Sequence, residues 1–562
     1  MPFSISATFN VFVGPAKPAG TFSYFWGNSA PNYACRVAKA ADLDHDGVDE
    51  VIFAAFECQP NSPSTYTNTQ VQIFDWVDGK LKNMTPTWLP NAGQRVEGVG
   101  DIQLGDFNGD GQMDVFLSGY ADMDYRIHAY ALMNKGGYFE KTDLGLCSWQ
   151  HGSYAYDVNK DGYTDVMATG YGTDAFRMYL GGPNGLSTYQ FTGGDWAGGS
   201  GVALGDFLGD GSTSAILVDW GVADHFRSDT QDLSDAKDTA LLRFSLGTDG
   251  KSPALTFASS LPLPRLELPK YGNLANGQYD NSHDIRALGM DFNTDGLTDV
   301  LVFSRGGWNG QTWPTKSEVQ FLLNKGNGQF DDVTDTIRSG FVSDAAASYS
   351  ARIGDFNQDG LPDIFSNDQD GSNSTFLLMG DPSGKFIDSG RKSLSGIGIK
   401  ASSALAKGPG GTYYIVAETN GHINGNVVYA PVTISRTDVA NGTASDDTLE
   451  LSAGVVKAYG LAGSDTFKYA SASALGVDKK SAPSIMDFKA KEADKIDLIA
   501  LFESASIAPT FLKAVPSTKQ DATNTVWFKG GYVSISTDAD NTAELYIKLV
   551  GVVKLDASSL IL

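Results

Sequence analysis

Short apolar runs recur along the first 435 residues, each preceded by an Asp/Gly-rich turn. DVFLSG (114–119), DVMATG (165–170), DVLVFS (299–304), DIFS (363–366) and EVIFAA (50–55) are apolar and rich in β-branched and aromatic residues. Their length and composition predict buried strands. A second set of runs follows after a variable connection: VQIFDW, HAYALM, FRMYL, VQFLLN and TFLLM. Gly-rich turns such as NKGGYF and NKGNGQF then lead into a fourth strand. The turns begin at 42, 106, 157, 206, 291 and 355. A four-strand unit of about fifty residues is the size of a propeller blade. A seventh unit without an aspartate turn is expected over about 401–435, where TYYIVAETN and NVVYAPVTI read as two strands. Residues 1–34 carry alternating Phe9, Val11 and Val13, then an aromatic run from Phe22 to Trp26. They predict one or two strands, one of which could close the ring. The expected fold is all-β: a seven-bladed β-propeller, in which closure removes exposed sheet edges.

The turns themselves carry chemistry. In GDFNGDGQMDVFLSG (105–119), Asp106, Asn108, Asp110 and Asp114 fall at loop positions one, three, five and nine, with Gly111 at position six. Alternate oxygen side chains converge where a glycine permits a sharp turn, and a hard cation such as calcium wants several oxygen ligands together. The pattern recurs as Asp42, Asp44, Asp46 and Glu50; Asp157, Asn159, Asp161 and Asp165; Asp291, Asn293, Asp295 and Asp299; and Asp355, Asn357, Asp359 and Asp363. One copy is degraded: Asp206 and Asp210 remain, but Leu208 and Ser214 replace oxygen ligands, so it is expected to hold calcium weakly or not at all. An EF-hand would need a bidentate glutamate at position twelve and flanking helices. Position twelve is instead Phe53, Leu117, Ala168, Val302 or Ser366, and strands follow. A single copy could be a plain Asp/Gly turn; five matching copies favour calcium as the cofactor.

The 562-residue chain is too long for one small core, so at least two domains are expected. The net charge of −25 sits largely in these loops, and no basic nucleic-acid patch is visible. No apolar run is long enough for a transmembrane helix. The N-terminus lacks the basic region and cleavage site of a signal peptide. By that test the protein would be cytoplasmic, but calcium loops of modest affinity need an extracellular environment. Cys35, Cys58 and Cys147 are too few for a disulfide scaffold. Cys35 and Cys58 flank the first loop and read as two buried thiols or, alternatively, as a bridge.

The GDFNGDGxxDV units resemble the FG-GAP/VCBS repeats of integrin α-type β-propellers over roughly residues 35–435. That resemblance implies the propeller fold and calcium, and says little of function. Composition shifts near Ser435, placing a propeller domain at 1–435 and a second domain at 436–562. GTASDDTLE (442–450) and GLAGSDTFK (460–468) lie two nine-residue steps apart and approximate the parallel β-roll repeat GGxGxDxUx, with a degenerate step between them. With SIMDFKAKEADKIDL (484–498) and the terminal LDASSLIL, this region resembles the C-terminal domains of serralysin-type proteases and other RTX proteins. A short β-roll or β-sandwich domain, export by a type I secretion machinery and an extracellular or surface location are what that resemblance implies. No HExxH is present, so the proteases' zinc chemistry does not carry over.

If each first strand runs into its loop, the loops share one face of the ring. The strand-one beginnings and the two-to-three connections share the other. The beginnings offer Arg36, Glu97, His151 and His283, with Arg286 and Arg352; the connections offer Tyr120, Tyr171, Trp220, Arg227, Trp308 and Trp313. Aromatic faces stack on sugar C–H groups while charged forks bind hydroxyls and carboxylates. The leading expectation is therefore a lectin-like or adhesion module for extracellular polysaccharide or surface glycan. One alternative is a polysaccharide lyase or hydrolase, with His151, His283, Glu97 and Arg36 as candidate base and charge neutralisers. Another is a structural surface-layer or matrix protein. For each aromatic residue, packing between blades is the competing role.

Overall fold

The computed structural model of the chain describes residues 9–13, 15–21, 34–57, 69–90, 95–120, 127–147, 150–170, 177–189, 200–218, 239–246, 253–257, 263–264, 282–293, 295–306, 317–339, 350–357, 361–367, 376–381, 385–388, 403–418, 426–436, 439–443, 445–451, 455–503, 508–517 and 521–562. They fall into two compact units, one covering Val11–Thr433 and the other built on Ile434–Leu562.

The first unit is a seven-bladed β-propeller. Blade 1 is Ala34–Ala41, Glu50–Glu57, Thr69–Val77 and Lys80–Asn83; blade 2 is Val99–Gly105, Asp114–Gly119, Ile127–Asn134 and Phe139–Cys147. Blade 3 is Gln150–Tyr156, Asp165–Gly170, Arg177–Leu180 and Ser187–Tyr189; blade 4 is Gly201–Gly205, Ser214–Val218, Thr239–Leu246 and Pro253–Phe257. Blade 5 is Ser282–Met290, Asp299–Gly306, Ser317–Asn324 and Phe330–Asp332; blade 6 is Ser350–Gly354, Asp363–Asn367, Phe376–Asp381 and Lys385–Asp388. Blade 7 takes Ser403–Lys407, Tyr413–Glu418 and Asn426–Arg436 from the end of the unit. Its outer edge comes from the N-terminal side: Phe9–Val13 and Lys17–Thr21 both pair with Asn426–Arg436, the latter antiparallel with Lys17 opposite Tyr429. The two ends of the propeller unit thus meet in one sheet, which closes the ring.

One register runs through six blades. The loop's ninth residue pairs with the residue just before its first: Ala41 with Glu50, Gly105 with Asp114, Tyr156 with Asp165, Gly205 with Ser214, Met290 with Asp299 and Gly354 with Asp363. The second residue of every loop, Leu43, Phe107, Val158, Phe207, Phe292 or Phe356, turns inward and is buried. Apolar layers form between blades as well as within them; one cluster joins Val37, Ile52 and Val71 of blade 1 to Ile102, Val115 and Leu132 of blade 2. An apolar residue at position two therefore anchors each polar loop into that interblade layer.

Near the ring closure, Asp49 ties three blades together. Its N–H donates to the Lys407 carbonyl of blade 7 (2.7 Å), and its Oδ2 accepts from Lys407 N (2.7 Å) and from Arg352 Nη1 of blade 6 (2.7 Å). Across the axis, Arg286 of blade 5 reaches Asp101 of blade 2 at 3.3 Å, with both side chains buried.

The second unit alternates between two parallel sheets. Val439–Asn441, Lys457–Tyr459 and Ser484–Ile485 build one, and Thr448–Leu451, Thr466–Tyr469 and Lys495–Asp497 the other. Successive strands begin at 439, 448, 457 and 466, so the nine-residue step persists through the stretch whose sequence looked degenerate. Leu545–Leu549 and Leu560–Ile561 extend the two sheets, and Phe467, Ile485, Ile496, Val533 and Ile547 fill the space between. Among the described residues, no helix is long and apolar enough to cross a membrane.

Removing the Asp49 carboxylate would leave Arg352 and the Lys407 amide facing a hole. Asp49→Ala should destabilise the propeller by about 3 kcal/mol in urea unfolding, the low end for breaking a buried pair because Arg352 is partly exposed. Asp78→Ala, which breaks an exposed pair with Lys82, should cost less than about 0.5 kcal/mol. Equal effects would deny Asp49 this role.

Candidate metal centres

The loops fold around their own first carboxylate. Asp42 accepts the N–H groups of Asp46 (3.1 Å) and Gly47 (3.0 Å). Asp106, Asp157 and Asp291 take the equivalent amides at 2.9–3.2 Å. Position three, Asp44, Asn108, Asn159 or Asn293, accepts from the amide of position five. The glycine at position six has a left-handed backbone, with φ of 93° at Gly47 and 83° at Gly111, a conformation that strains other residues. This geometry turns the oxygens at one, three and five to one side.

Position nine closes each loop from beneath. Asp114 is fully buried; one oxygen accepts the N–H of Phe107 (3.1 Å) and the other that of Asn134 on strand three (2.7 Å). Asp165 does the same with Val158 and Gly181, Asp299 with Phe292 and Asn324, and Asp363 with Phe356 and Gly380. Burial raises the pKa of Asp114, Asp165 and Asp299 to about 6, against the pull of those amides and with added repulsion from loop carboxylates.

Blade 1 differs. Glu50 Oε2 accepts Leu43 N–H (2.7 Å), but Oε1 is buried and has no hydrogen-bond partner. Burial and the neighbouring carboxylates push its pKa up to about 9. Oxygens of Asp42, Asp44 and Glu50 all lie within 4.8 Å of one another. An orphaned buried oxygen beside two carboxylates makes an all-oxygen donor set of the kind that suits a hard divalent cation.

The degraded loop of blade 4 is complete without a metal. Ser214 Oγ replaces the position-nine carboxylate as acceptor for Phe207 N–H (2.9 Å). Arg243 of strand three places Nη1 2.6 Å from Asp210 Oδ2 and 3.0 Å from Ser212 Oγ. Hydrogen bonds from Ser212 and Arg243 hold the Asp210 carboxyl well below the usual range. The loop carries its own cation.

Loops also bridge blades. Asn134 Nδ2 donates to the Leu43 carbonyl (2.7 Å), Asn324 Nδ2 to that of Phe207 (3.1 Å) and Gly182 N–H to that of Phe107 (3.0 Å). His45, exposed, meets the Gly111 carbonyl at 3.0 Å, and Lys160 donates to that of Gly211.

Three residues expected on the opposite face are placed otherwise. His151 is 6% exposed, and burial lowers its pKa to about 3, so it stays neutral. Tyr120 is buried too, edge-on to His151 with ring centroids 5.1 Å apart. These two pack inside the ring rather than displaying their rings: His151 lies at a strand-one beginning against the neighbouring blade, and Tyr120, just past strand two, donates its N–H back to the Gly98 carbonyl (2.9 Å). Glu97 is half-buried and accepts the backbone N–H of His128, so it braces blade 2. Arg36 and His283 lie on first strands, opposite Ala55 and Arg305, and their side chains fall outside the description. Tyr171, Trp220, Arg227, Trp308, Trp313 and Asp359 are outside the described residues, as are Cys58 and the side chain of Cys35; Cys147 is buried, is not in a disulfide, and donates its thiol to the Ile127 carbonyl (3.3 Å). Sequence reasoning missed Asp49, Asp101, Lys39 and Arg243. Only Arg243 left a signal, as a lone cation on strand three of the one blade whose loop lost its ligands.

A sequence family described as FG-GAP-like repeat matches residues 42–117 and 291–366, two stretches that each begin at a carboxylate loop. No curated protein matches the chain in sequence. Solved structures with a similar arrangement include an α-L-arabinanase of Penicillium chrysogenum complexed with arabinobiose, 9% identical, covering 74% of this chain and 98% of that one at a TM-score of 0.36. An α-L-arabinofuranosidase of Fusarium graminearum in complex with an iminosugar inhibitor is 13% identical, with 74% and 98% covered at a TM-score of 0.35.

The raised carboxylates make stability depend on pH when metal is withheld. A carboxyl whose folded pKa exceeds its unfolded value favours the folded state when protonated. In chelator, therefore, these groups should lose stability as pH rises from about 4 to 6 for the three aspartates, and on to about 9 for Glu50. Glu50→Gln should flatten the upper part of that curve, read as thermal midpoint against pH from 6 to 9. An unchanged slope would remove Glu50 as its source.

Proposed function

We propose that this chain is an exported, calcium-loaded β-propeller that binds an extracellular polysaccharide or surface glycan. The buried, partnerless Oε1 of Glu50, grouped with Asp42 and Asp44, carries the calcium part. Bound calcium would meet that oxygen and offset the repulsion that raises the position-nine carboxyls. Asp106, Asn108, Asp110 and Asp114 would hold the ion in blade 2, with the corresponding residues doing so in blades 3, 5 and 6. In blade 4, Arg243 serves instead.

Export rests on the second unit. Its nine-residue step and aspartate stack fit the RTX resemblance: Asp465 Oδ1 accepts Asp447 N–H (3.0 Å), and Asp494 Oδ1 accepts Asp465 N–H (3.1 Å). Type I export followed by folding outside, where calcium is plentiful, accounts for both units. Glycan binding rests on the aromatic and basic residues of the two-to-three connections, above all Trp220, Arg227, Trp308 and Trp313. The burial of His151 counts against its use as the base of a lyase.

Calorimetric titration of metal-free protein should find calcium sites in the propeller loops, with one lost in Glu50→Ala and none lost in Arg243→Gln. No calcium-dependent heat would defeat the calcium reading. Retention on immobilised acidic and neutral polysaccharides should need calcium and fall at least tenfold in Trp308→Ala/Trp313→Ala. Release of unsaturated sugar during the same assay would turn the reading to a lyase.

A further inference from the structure

A cavity of ≈ 220 Å³ lies among the first strands of blades 1, 2, 6 and 7, lined by Lys39, Leu104, Arg352, Ile353, Ser403 and Leu405. Its charges do not balance. Asp101 is already saturated: Oδ1 accepts from Ile102 N (2.9 Å) and Arg286 (3.3 Å), and Oδ2 from Gln103 Nε2 (2.9 Å), Ser153 N (3.0 Å) and Ser153 Oγ (3.0 Å). Asp49 is engaged by Arg352 and the Lys407 amide. Each arginine therefore has its carboxylate. The Lys39 ammonium has no hydrogen bond or ion pair among the described residues and faces Arg286 and Arg352 as well as Asp101. Among the described residues around the cavity, one positive charge is left over.

We propose that this axial cavity is a binding site for a small monovalent anion, a halide or a simple carboxylate, held by the Lys39 ammonium with Arg352 beside it. The volume accommodates such an ion with several of its waters, each occupying about 30 Å³ in the liquid. Apolar walls at Leu104, Ile353 and Leu405 suit a singly charged, weakly hydrated ion better than a dianion. A resident anion neutralises an ammonium that burial and two arginines otherwise drive down to a pKa of about 8.

Bromide and acetate are the probes, added to full-length protein in saturating calcium. The thermal midpoint of wild type should rise with bromide relative to Lys39→Met, and the apparent affinity should be level below about pH 8 and fall about tenfold per pH unit above it. A parallel acetate series shows whether a carboxylate is accepted as well as a halide. Anomalous diffraction from bromide-soaked crystals should place an ion within hydrogen-bond reach of Lys39 Nζ. Equal midpoint shifts in both proteins, or no bromide at Lys39, would overturn the proposal. If Lys39→Met does not fold, the wild-type pH profile and the bromide position decide it.

Discussion

The propeller depends on a buried carboxylate used as a splice. The ninth loop residue sits at the start of strand two, where it bonds the amide of loop position two and, in four blades, an amide at the end of strand three. One side chain thereby fixes the turn, the register of the first hairpin and the meeting of that hairpin with its neighbour strand. A carboxylate suits this because it accepts from two directions and forms charge-assisted bonds. The cost is desolvation, visible in the upward shift of these groups.

On the proposed reading, a bound cation would offset that cost. Each loop gathers several anionic oxygens above a buried carboxyl, so the fold is under electrostatic load wherever no counter-charge is supplied. Blade 4 relieves it with Arg243 and a neutral Ser214, and blade 7 has no such loop. Blade 1 lies at the other extreme, with one glutamate oxygen left entirely without a partner. Because loop carbonyls also accept from the adjacent blade, a change in one loop is felt at the seam beside it.

The ring's interior is polar along part of its axis. Charges from four blades lie there: Lys39 and Asp49 from blade 1, Asp101 from blade 2, Arg286 from blade 5 and Arg352 from blade 6, the last also donating to the Leu405 carbonyl of blade 7. Buried ion pairs contribute little net stability but break strongly when one partner is lost. They favour one blade order and one ring size, since another packing would strand the same charges.

Local chemistry determined much of this from the chain alone. The strand that follows each turn, the loop positions of the oxygens, the glycine at position six and the blade count are all legible, because turn stereochemistry and apolar periodicity act over a few residues. The two flanking nine-residue motifs of the second unit were legible for the same reason, whereas only the strands beginning at 448, 457 and 466 showed that the step persists through Leu451–Tyr459. Tertiary structure decided the rest. The alternation in residues 1–34 left a ring-closing strand open, and the structure decided that Phe9–Val13 and Lys17–Thr21 pair with the last strand of blade 7. Asp49 reads as one more acidic loop residue until blades 6 and 7 arrive beside it. His151 and Tyr120 read as surface chemistry and are interior packing, because burial depends on which blade lies opposite. Lys39 is an unremarked lysine in an alternating strand, and only ring closure surrounds it with two arginines and a saturated aspartate. Long-range burial and charge balance are properties of the closed ring, and no short stretch of sequence contains them.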